Sequence, residues 1–344
     1  MRIVYMGADA FGIPAMRRVL AMEGVQVVHV VTQPDRPKGR GLKLAASPVK
    51  DLAVEHRIPI SQPESAKSPE FIDSIAAIAP DLILVIAYGQ ILKKRLIDIP
   101  PLGVVNLHAS LLPAYRGGAP VERALMAGET ITGNTTFYID PGMDSGDMIL
   151  QESLAIDPDD TAGTLRQRLA QAGGELVERT LRLIIAGGAP RIPQDHAQAT
   201  LARNLKKEEA ELDWRKSAAE IRNLVRGANP RPGAYSRFRG KLVKFWSVEG
   251  EAPADPADPA DTRHPTPIGL RSNPADTRLS TPDTRLLGPG TIVHVDKDGF
   301  QIATGAGLIR PLLVQPEGRA VMDDAAFARG QRIQVGEAFG LPLP

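Results

Sequence analysis

The sequence has no cysteine among its 344 residues. Disulfide bonds and thiolate chemistry are therefore excluded, and a reducing compartment fits this composition. Long apolar runs are missing too: the longest uninterrupted one, Leu82–Ala87, is far shorter than the roughly 20 residues that a membrane-spanning helix needs. The first residues, Met-Arg-Ile-Val-Tyr-Met-Gly, predict a strand and not a signal peptide. We therefore expect a cytoplasmic protein without a membrane partner.

Net charge is nearly absent, at +1 for the whole chain, so overall attraction to nucleic acid is not predicted. Basic residues are nonetheless concentrated in two stretches. Residues 33–50 contain five of them against one acid, Asp35. Residues 222–244 contain no acid and seven bases, Arg222, Arg226, Arg231, Arg237, Arg239, Lys241 and Lys244. Each stretch could contact phosphates or form an ordinary solvated basic face, and composition leaves both interpretations open.

The first half of the chain alternates predicted strands with predicted helices. Segments rich in Val, Ile and Leu without strict alternation, typical of strands buried on both faces, lie at 2–6, 25–31, 81–88 and 103–108. Ser68 is placed to cap a helix that begins at Pro69. A further strand at 132–140 and an amphipathic helix at 164–185 follow. This order predicts an α/β fold, a doubly wound Rossmann-like parallel sheet over residues 1–188 with its ligand site at the carboxyl ends of the strands.

The second half begins with a stretch containing Gly and Pro, 189–207, that predicts a linker. Ser217-Ala-Ala-Glu220 has the pattern of a capping box at the start of a short helix. Short predicted strands separated by turn residues then lie at 234–238, 242–248, 290–295, 299–303 and 308–313. Such a series predicts a small OB-like β-barrel domain over residues 208–344.

Residues 251–289 break this pattern. They contain eight prolines, and the tetrad Ala-Asp-Thr-Arg occurs twice with a Pro-Asp-Thr-Arg variant. A segment of this composition cannot bury enough apolar surface to fold by itself, so it predicts a disordered insertion. A binding loop is the alternative.

Two polar side chains end the buried strand at 103–108. Asn106 and His108 are two residues apart, so both side chains leave the same face of the strand. There, at the carboxyl end, an amide and an imidazole can donate hydrogen bonds to a carbonyl oxygen that becomes an oxyanion. A turn cap and a structural histidine are the alternatives for this pair.

A glycine-rich loop after the strand at 132–140 carries three aspartates, Asp140, Asp144 and Asp147. A carboxylate held in that loop could orient His108 and fix its tautomer. Glycine and aspartate also form ordinary turns, so the loop alone does not decide between the two roles.

Together these motifs resemble the signature of the folate-dependent formyltransferase and hydrolase family. The matching stretches are Asn106-x-His108, Ser110-Leu-Leu-Pro113-x-x-Arg116-Gly and Asp144-Ser-Gly-Asp147. Three further stretches resemble the family members that act on methionyl initiator tRNA. The first is Gln33-Pro-Asp-Arg-Pro-Lys-Gly-Arg40-Gly-x-Lys43 with Ser47-Pro-Val-Lys50. The others are Gln194-Asp-His196-x-x-Ala199-Thr200 and Ile221-Arg-x-x-x-Arg226-x-x-Asn229-Pro230. The likeness covers nearly the whole chain except 251–289, and it departs at Gly7-Ala8-Asp9-Ala10-Phe11, where the family usually has Gly-Thr-Pro before an acid and Phe.

The resemblance implies a role for each matching residue. Asn106 and His108 would bind the formyl oxygen and stabilise the tetrahedral intermediate, and Asp144 would pair with His108 and help to take the proton from the attacking amine. The donor would be 10-formyltetrahydrofolate, bordered by Ser110, Leu111, Leu112 and Pro113, with Tyr88, Gln90 and Ile91 near its pterin. Residues expected to bind the tRNA are Arg40, Lys43, Arg222, Arg226 and Lys241. We expect no metal, because the six histidines are scattered along the chain. We also expect a monomer.

Three other functions compete with this expectation. A dehydrogenase should carry Gly-x-Gly-x-x-Gly after the first strand, but Gly7 and Gly12 are five apart with no third glycine in register. A non-catalytic RNA-binding protein would explain the basic stretches but not the Asn106, His108 and Asp144 set. A formyltransferase for sugar nucleotides or glycinamide ribonucleotide stays open, although such members lack the linker and the basic second domain.

Overall fold

The structure is a computed structural model that describes residues 1–38, 43–251 and 288–340. The chain divides into two compact units, Met1–Leu205 and Lys206–Pro344. Arg40 lies outside the described residues, as do the side chain of Lys43 and nearly all of the segment predicted as an insertion. The predictions made for them stay predictions.

The first unit alternates strands and helices as expected. Its strands are β1 (Arg2–Gly7), β2 (Gln26–Val31), β3 (Arg36–Lys38), β4 (Lys43–Ala45), β5 (Ile60–Ser61), β6 (Leu82–Ile86), β7 (Val104–His108), β8 (Ile131–Tyr138) and β9 (Met148–Ala155). Its helices are α1 (Ile13–Ala21), α2 (Pro48–Glu55), α3 (Pro69–Ile78), α4 (Lys94–Ile97), α5 (Pro120–Ala127) and α6 (Ala162–Ile185). Ser68 caps α3 by accepting from the Phe71 amide, which confirms the predicted start of that helix.

A seven-stranded sheet organises this unit in the order β5-β2-β1-β6-β7-β8-β9. The five strands from β5 to β7 are parallel, which confirms the Rossmann-like core. Strand β8 runs antiparallel to β7, and β9 runs antiparallel to β8, so the sheet is mixed at this edge. The connection 139–147 between β8 and β9 is too short for a parallel crossover, and antiparallel pairing follows.

Each central strand buries side chains on both faces of the sheet. Ile3 and Tyr5 of β1 belong to the hydrophobic cluster under α1 and α6, whereas Val4 and Met6 belong to the cluster against α3. This explains why these strands have no strict polar alternation. Val104 of β7 lies in the second cluster, so Asn106 and His108, two and four residues on, leave the same face.

Over its described residues, 206–251 and 288–340, the second unit is an antiparallel β-structure with two α-helices. Its elements are α7 (Ala218–Gly227), β10 (Ala234–Phe238), β11 (Lys241–Glu251), β12 (Ile292–Asp296), β13 (Gly299–Ala303), β14 (Leu308–Pro316), β15 (Met322–Asp323) and α8 (Asp324–Gln331). The strand order is β10-β11-β14-β13-β12, with β15 on β14. Bridges from Phe339 to Phe238 and from Ala338 to Thr291 join the two edges, as in a small barrel. The predicted capping box of Ser217 and Glu220 is present at α7.

An aromatic cluster fills the second unit. Phe339 lies 4.9 Å from Phe238, 5.5 Å from Phe245 and 5.9 Å from Trp214 between ring centroids. The Trp214 indole satisfies its N–H by donating to the Ser236 hydroxyl at 3.0 Å. Within the described ranges of the chain, no helix combines the length and apolarity that a membrane crossing requires.

Candidate active site

A cavity of about 720 Å³ opens in the first unit beside the carboxyl ends of β6 and β7. Its size lies within the roughly 300–1,000 Å³ of small-molecule sites, and its position is the one expected for an open α/β sheet. Of the residues predicted from the sequence, those that line it are Asn106, His108, Asp144, Tyr88, Gln90 and Ile91. The structure therefore brings the predicted amide, imidazole and carboxylate to one chamber.

His108 is buried, with 6% of its surface exposed, and its tautomer is set by the backbone. Its Nε2 lies 2.8 Å from the Tyr115 carbonyl oxygen, which can only accept, so Nε2 carries the hydrogen. The other nitrogen, Nδ1, lies 3.7 Å from Oδ2 of Asp144. A carboxylate of the loop was expected to orient His108 and fix its tautomer. In the structure the Tyr115 carbonyl oxygen fixes the tautomer, and the Asp144 carboxylate faces Nδ1.

Asp144 is held in an uncommon backbone conformation, with φ of 48°. Its Oδ2 accepts a hydrogen bond from the Gly117 amide at 2.8 Å, which directs the carboxylate toward His108. The other aspartates of this loop are engaged elsewhere. Asp140 accepts from the Ser145 hydroxyl at 2.8 Å and the Gly142 amide at 2.9 Å, and Asp147 lies 3.7 Å from Arg191.

Asn106 stands in the middle of the sheet, paired with Val85 of β6 on one side and Phe137 of β8 on the other. It is half-buried and lines the cavity. Among the described residues its side-chain amide has no hydrogen-bond partner, so both of its N–H donors are available to a ligand.

The 88–92 loop forms one wall of the cavity and is fixed from behind. The Gln33 amide donates to the Tyr88 carbonyl at 2.7 Å, and Oε1 of Gln90 accepts from the Ala66 amide at 2.7 Å. Ile91 is 67% exposed at the rim. The Tyr88 hydroxyl has no partner in the described part of the chain, and burial raises the pKa of Tyr88 to about 12.

Residues 110–113 lie beside the cavity instead of lining it, as far as the described residues go. The Ser110 hydroxyl donates to the Ala114 carbonyl at 2.6 Å, and the Leu112 amide donates to Thr135 at 3.1 Å. These bonds shape the turn that leads from β7 to Tyr115. The expectation that Ser110, Leu111, Leu112 and Pro113 border a ligand stays a prediction.

Two clusters at the site were not predicted. At the cavity wall, Arg166 of α6 pairs with Asp9 at 3.0 Å and lies 5.1 Å from the centroid of the Phe11 ring. Behind the cavity, the buried Arg116 donates to Gln194 Oε1 from Nε at 3.1 Å and from Nη2 at 2.7 Å. Both clusters join residues far apart in the chain, 157 positions in the first and 78 in the second, and no local pattern signals them.

The predicted tRNA-binding cations of the second unit differ in exposure. Arg222 and Arg226 of α7 are half-buried, and Lys241 at the start of β11 is exposed. Several bases of the 222–244 stretch have internal partners: Arg226 donates to Asn223 Oδ1 at 3.3 Å, Lys244 donates to the Pro232 carbonyl at 2.8 Å, and Arg239 pairs with Glu337 at 2.6 Å. In the ranges that the structure covers, no three His, Asp or Glu side chains are placed to hold a metal ion together.

Family models and relatives point to one family over most of the chain. The profile described as formyl transferase matches residues 2–181, and the formyl transferase C-terminal domain matches residues 204–332. A methionyl-tRNA formyltransferase of Moorella thermoacetica is 40% identical over 340 residues, covering 99% of both chains. That of Geobacter sulfurreducens is 41% identical over 340 residues, covering 99% of this chain and 97% of the relative.

Solved structures show the same fold at much lower identity. An N-formyltransferase from Helicobacter canadensis, in complex with folinic acid and dTDP-3-aminofucose, aligns with a TM-score of 0.59 at 16% identity, covering 91% of this chain and 98% of that one. The sugar 3N-formyl transferase WlaRD, in the presence of dTDP and 5-N-formyl-THF, aligns with a TM-score of 0.60 at 15% identity, covering 93% and 99%.

Proposed function

The chain belongs to the formyl transferase family, and we propose that it transfers the formyl group of 10-formyltetrahydrofolate to the amino group of methionyl initiator tRNA. The product is N-formylmethionyl-tRNA for translation initiation. The observation that carries the proposal is the meeting of Asn106, His108 and Asp144 in one cavity. The likeness to methionyl-tRNA formyltransferases, about 40% identical over nearly the full length of the chain, is the reason for proposing methionyl-tRNA as the acceptor.

The acceptor needs little activation. A free α-amino group has a pKa near ~8, and the adjacent ester lowers it, so much of the amine is neutral near pH 7. The amine nitrogen attacks the formyl carbon, and the carbonyl electron pair moves to oxygen. Positioning, an oxyanion site and a proton acceptor are sufficient for this step, and no covalent enzyme intermediate is required.

His108 and Asp144 supply the proton acceptor. Because Nε2–H of His108 is donated to the Tyr115 carbonyl, Nδ1 is the nitrogen that takes the amine proton. The Asp144 carboxylate, 3.7 Å away, stabilises the resulting imidazolium. The proton then passes to the folate N10 as the bond between N10 and the formyl carbon breaks.

Asn106 supplies the oxyanion site. Its uncommitted amide donates to the oxygen on which negative charge develops, and the neighbouring imidazolium adds to this stabilisation. The sheet on both sides fixes the backbone of Asn106, so its side chain enters the cavity from a fixed point.

The folate is assigned to the cavity wall formed by the 88–92 loop. A flat, partly apolar ring system suits this cavity, whose apolar lining includes Phe11, Val85, Leu92 and Phe137. Tyr88, Gln90 and Ile91 lie on this wall. Ser110, Leu111, Leu112 and Pro113, in the turn that follows β7, would border the same ligand.

The tRNA is assigned to both basic stretches. Arg40 and Lys43 would reach the acceptor stem, and Arg222, Arg226 and Lys241 would contact the phosphates of the tRNA body. A cytoplasmic monomer completes the proposal.

The test is incubation of the protein with 10-formyltetrahydrofolate and methionyl initiator tRNA, followed by mass analysis of the amino acid released from the tRNA. We expect a gain of one formyl group on methionine. Uncharged tRNA, which lacks the aminoacyl amine, is the negative control, and a dTDP-amino sugar and glycinamide ribonucleotide are the competing acceptors. Formylation of either small acceptor in place of the tRNA would overturn the assignment.

A further inference from the structure

We propose that the 194–202 segment, which follows the sheet and helices of the first unit, positions the reacting pair His108 and Asp144. Gln194 and Thr200 are its positioning residues. The inference rests on the proposed function, because it concerns the rate of the same formyl transfer.

A single turn holds both members of the reacting pair. The Tyr115 carbonyl accepts from Nε2 of His108 at 2.8 Å, and the Gly117 amide donates to Oδ2 of Asp144 at 2.8 Å. The 115–117 turn therefore sets the 3.7 Å between the imidazole and the carboxylate. A shift of this turn moves the two groups relative to each other.

The 115–117 turn is itself fixed by the 194–202 segment. The Arg116 amide donates to the Thr200 carbonyl at 2.8 Å, and the Arg116 carbonyl accepts from the Ala202 amide at 2.7 Å. The Tyr115 amide donates to the Thr200 hydroxyl at 2.8 Å. Tyr115 has φ of 60°, a left-handed conformation that a non-glycine residue keeps only when its surroundings enforce it.

Gln194 joins this turn to the Asp144 loop. Its Oε1 accepts both hydrogen bonds from Arg116, and its Nε2 donates to the carbonyls of Asp144 at 2.9 Å and Gly146 at 2.8 Å. All the hydrogen-bond donors and the acceptor of the Gln194 side-chain amide are therefore engaged, and the residue is only 5% exposed. Loss of this one amide therefore loosens both the 115–117 turn, which holds the His108 imidazole, and the loop that carries Asp144.

The bonding pattern explains why the side chain has to be an amide. Arg116 is 8% exposed, and among the described residues its other side-chain partner is Nδ1 of His196 at 3.1 Å, not a carboxylate. A glutamate at 194 would satisfy Arg116 but would face two carbonyl oxygens without a donor. A methionine would keep the length and make neither set of bonds.

The experiment compares Gln194→Met with Gln198→Met in steady-state formyl transfer. Gln198 is the matched control, because it is the same residue type in the same segment but is exposed and bonded to Asp195 at 2.8 Å. We expect Gln194→Met to lower kcat about tenfold to a hundredfold, as a small misplacement of reacting groups does. KM for both substrates should stay within about twofold, and Gln198→Met should resemble the wild type.

A double-mutant cycle separates positioning from a general loss of structure. If Gln194 acts through Asp144, then Gln194→Met adds little to the loss already caused by Asp144→Asn. If the two losses multiply, or if Gln194→Met and Gln198→Met have equal kcat, the inference is wrong. A wild type that fails to formylate the tRNA would instead refute the proposed function.

Thr200 provides a second, independent variant should Gln194→Met fold poorly. Thr200→Val removes the acceptor of the Tyr115 amide and should lower kcat, whereas Thr200→Ser keeps a hydroxyl and should restore it. Equal kcat for the valine and serine variants would also overturn the inference.

Discussion

The two units use charge in opposite ways. In the first unit, the two ionisable groups assigned to proton transfer are fixed by nearby partners: His108 by the Tyr115 carbonyl and Asp144 by the Gly117 amide. In the second unit, Lys241 stands exposed on its strand. Bond-making chemistry depends on groups held to fractions of an ångström, whereas attraction of a polyanion depends on accessible positive charge. Damage to the first unit should therefore reduce turnover, and damage to the second should reduce affinity.

The largest effect is expected from Asn106→Ala and His108→Ala. Each should lower kcat about 10²-fold or more, as removal of an oxyanion donor does. The thermal transition should change little for Asn106→Ala, because its amide makes no hydrogen bond to other described residues. Turnover near that of the wild type in either variant would show that the chemistry does not depend on these first-unit residues.

Asp144→Asn tests which of the three aspartates in one loop takes part in the reaction. Its carboxylate faces His108 at 3.7 Å, whereas that of Asp147 faces Arg191 at the same distance. Asp144→Asn should lower kcat/KM by about 10²-fold, the scale of a lost proton-transfer group. Asp140→Asn and Asp147→Asn should lose less, and greater damage from Asp147→Asn would show that the reacting carboxylate has been misassigned.

Charge reversal in the second unit should give a smaller effect of a different kind. Changing Arg222, Arg226 and Lys241 together to Glu should raise the tRNA KM roughly tenfold and leave kcat and folate KM close to the wild type. The plot of log affinity against log salt should flatten by about two to three units if three phosphate contacts are lost. Salt titration of tRNA binding measures both effects.

The matched control reverses three exposed bases elsewhere in the same unit, Lys297, Arg319 and Arg329. This variant has the same net charge as the first triple variant. Equal weakening in both would mean that total charge, and not the 222–244 stretch, attracts the tRNA.

The smallest effect concerns a tyrosine and glutamate pair in each unit. The Tyr115 hydroxyl donates to Glu129 at 2.6 Å, and the Tyr235 hydroxyl donates to Glu211 at 3.4 Å. Partial burial, together with the Glu129 carboxylate, raises the pKa of Tyr115 above its usual value. Tyr115→Phe should cost no more than about 1 kcal/mol of unfolding free energy, because the pair is open to solvent.

The sign of the pH dependence follows from the raised pKa. The stabilisation by Tyr115 is complete below the unfolded-state pKa near ~10 and is lost as pH rises through the folded-state value. Urea unfolding by circular dichroism at about pH 8 and about pH 10.5 should show the gap between wild type and Tyr115→Phe shrinking at the higher pH. The unfolding of Tyr235→Phe can be followed by the fluorescence of Trp214 and Trp246. At the lower pH this variant should lose less unfolding free energy, relative to the wild type, than Tyr115→Phe does.

Local sequence patterns were sufficient for most of the elements. Ser68 and Pro69 marked the start of α3, and the spacing of Asn106 and His108 placed both side chains on one face of β7. Strand β9 was missed, because Met148–Ala155 follows the Asp-rich loop without a separate turn signal. Helix α8 is short and was missed as well.

The support of the site could not be predicted from local patterns. The contact between Arg116 and Gln194 joins positions 78 residues apart, and periodicity carries no information at that range. Gln90 lines the cavity, and its expected place near the pterin stays a prediction. The hydrogen bond that its Oε1 accepts from the Ala66 amide depends on how two loops pack, and no local pattern signals it. The motifs identified reactive groups, whereas the tertiary fold decides which neighbours hold them.

Gln194 and Thr200 lie after the last helix of the first unit, so the end point chosen for a truncated first unit should decide its activity. A fragment ending at residue 188 would retain β1 to β9, α6 and all three of Asn106, His108 and Asp144. It would lack the bonds that hold Tyr115 and the Asp144 backbone, so a well-folded fragment could be inert while its reactive groups were intact. The shortest excised piece that keeps this chemistry should extend through residue 202, and ligation or co-expression of a peptide covering 189–205 should revive the shorter one.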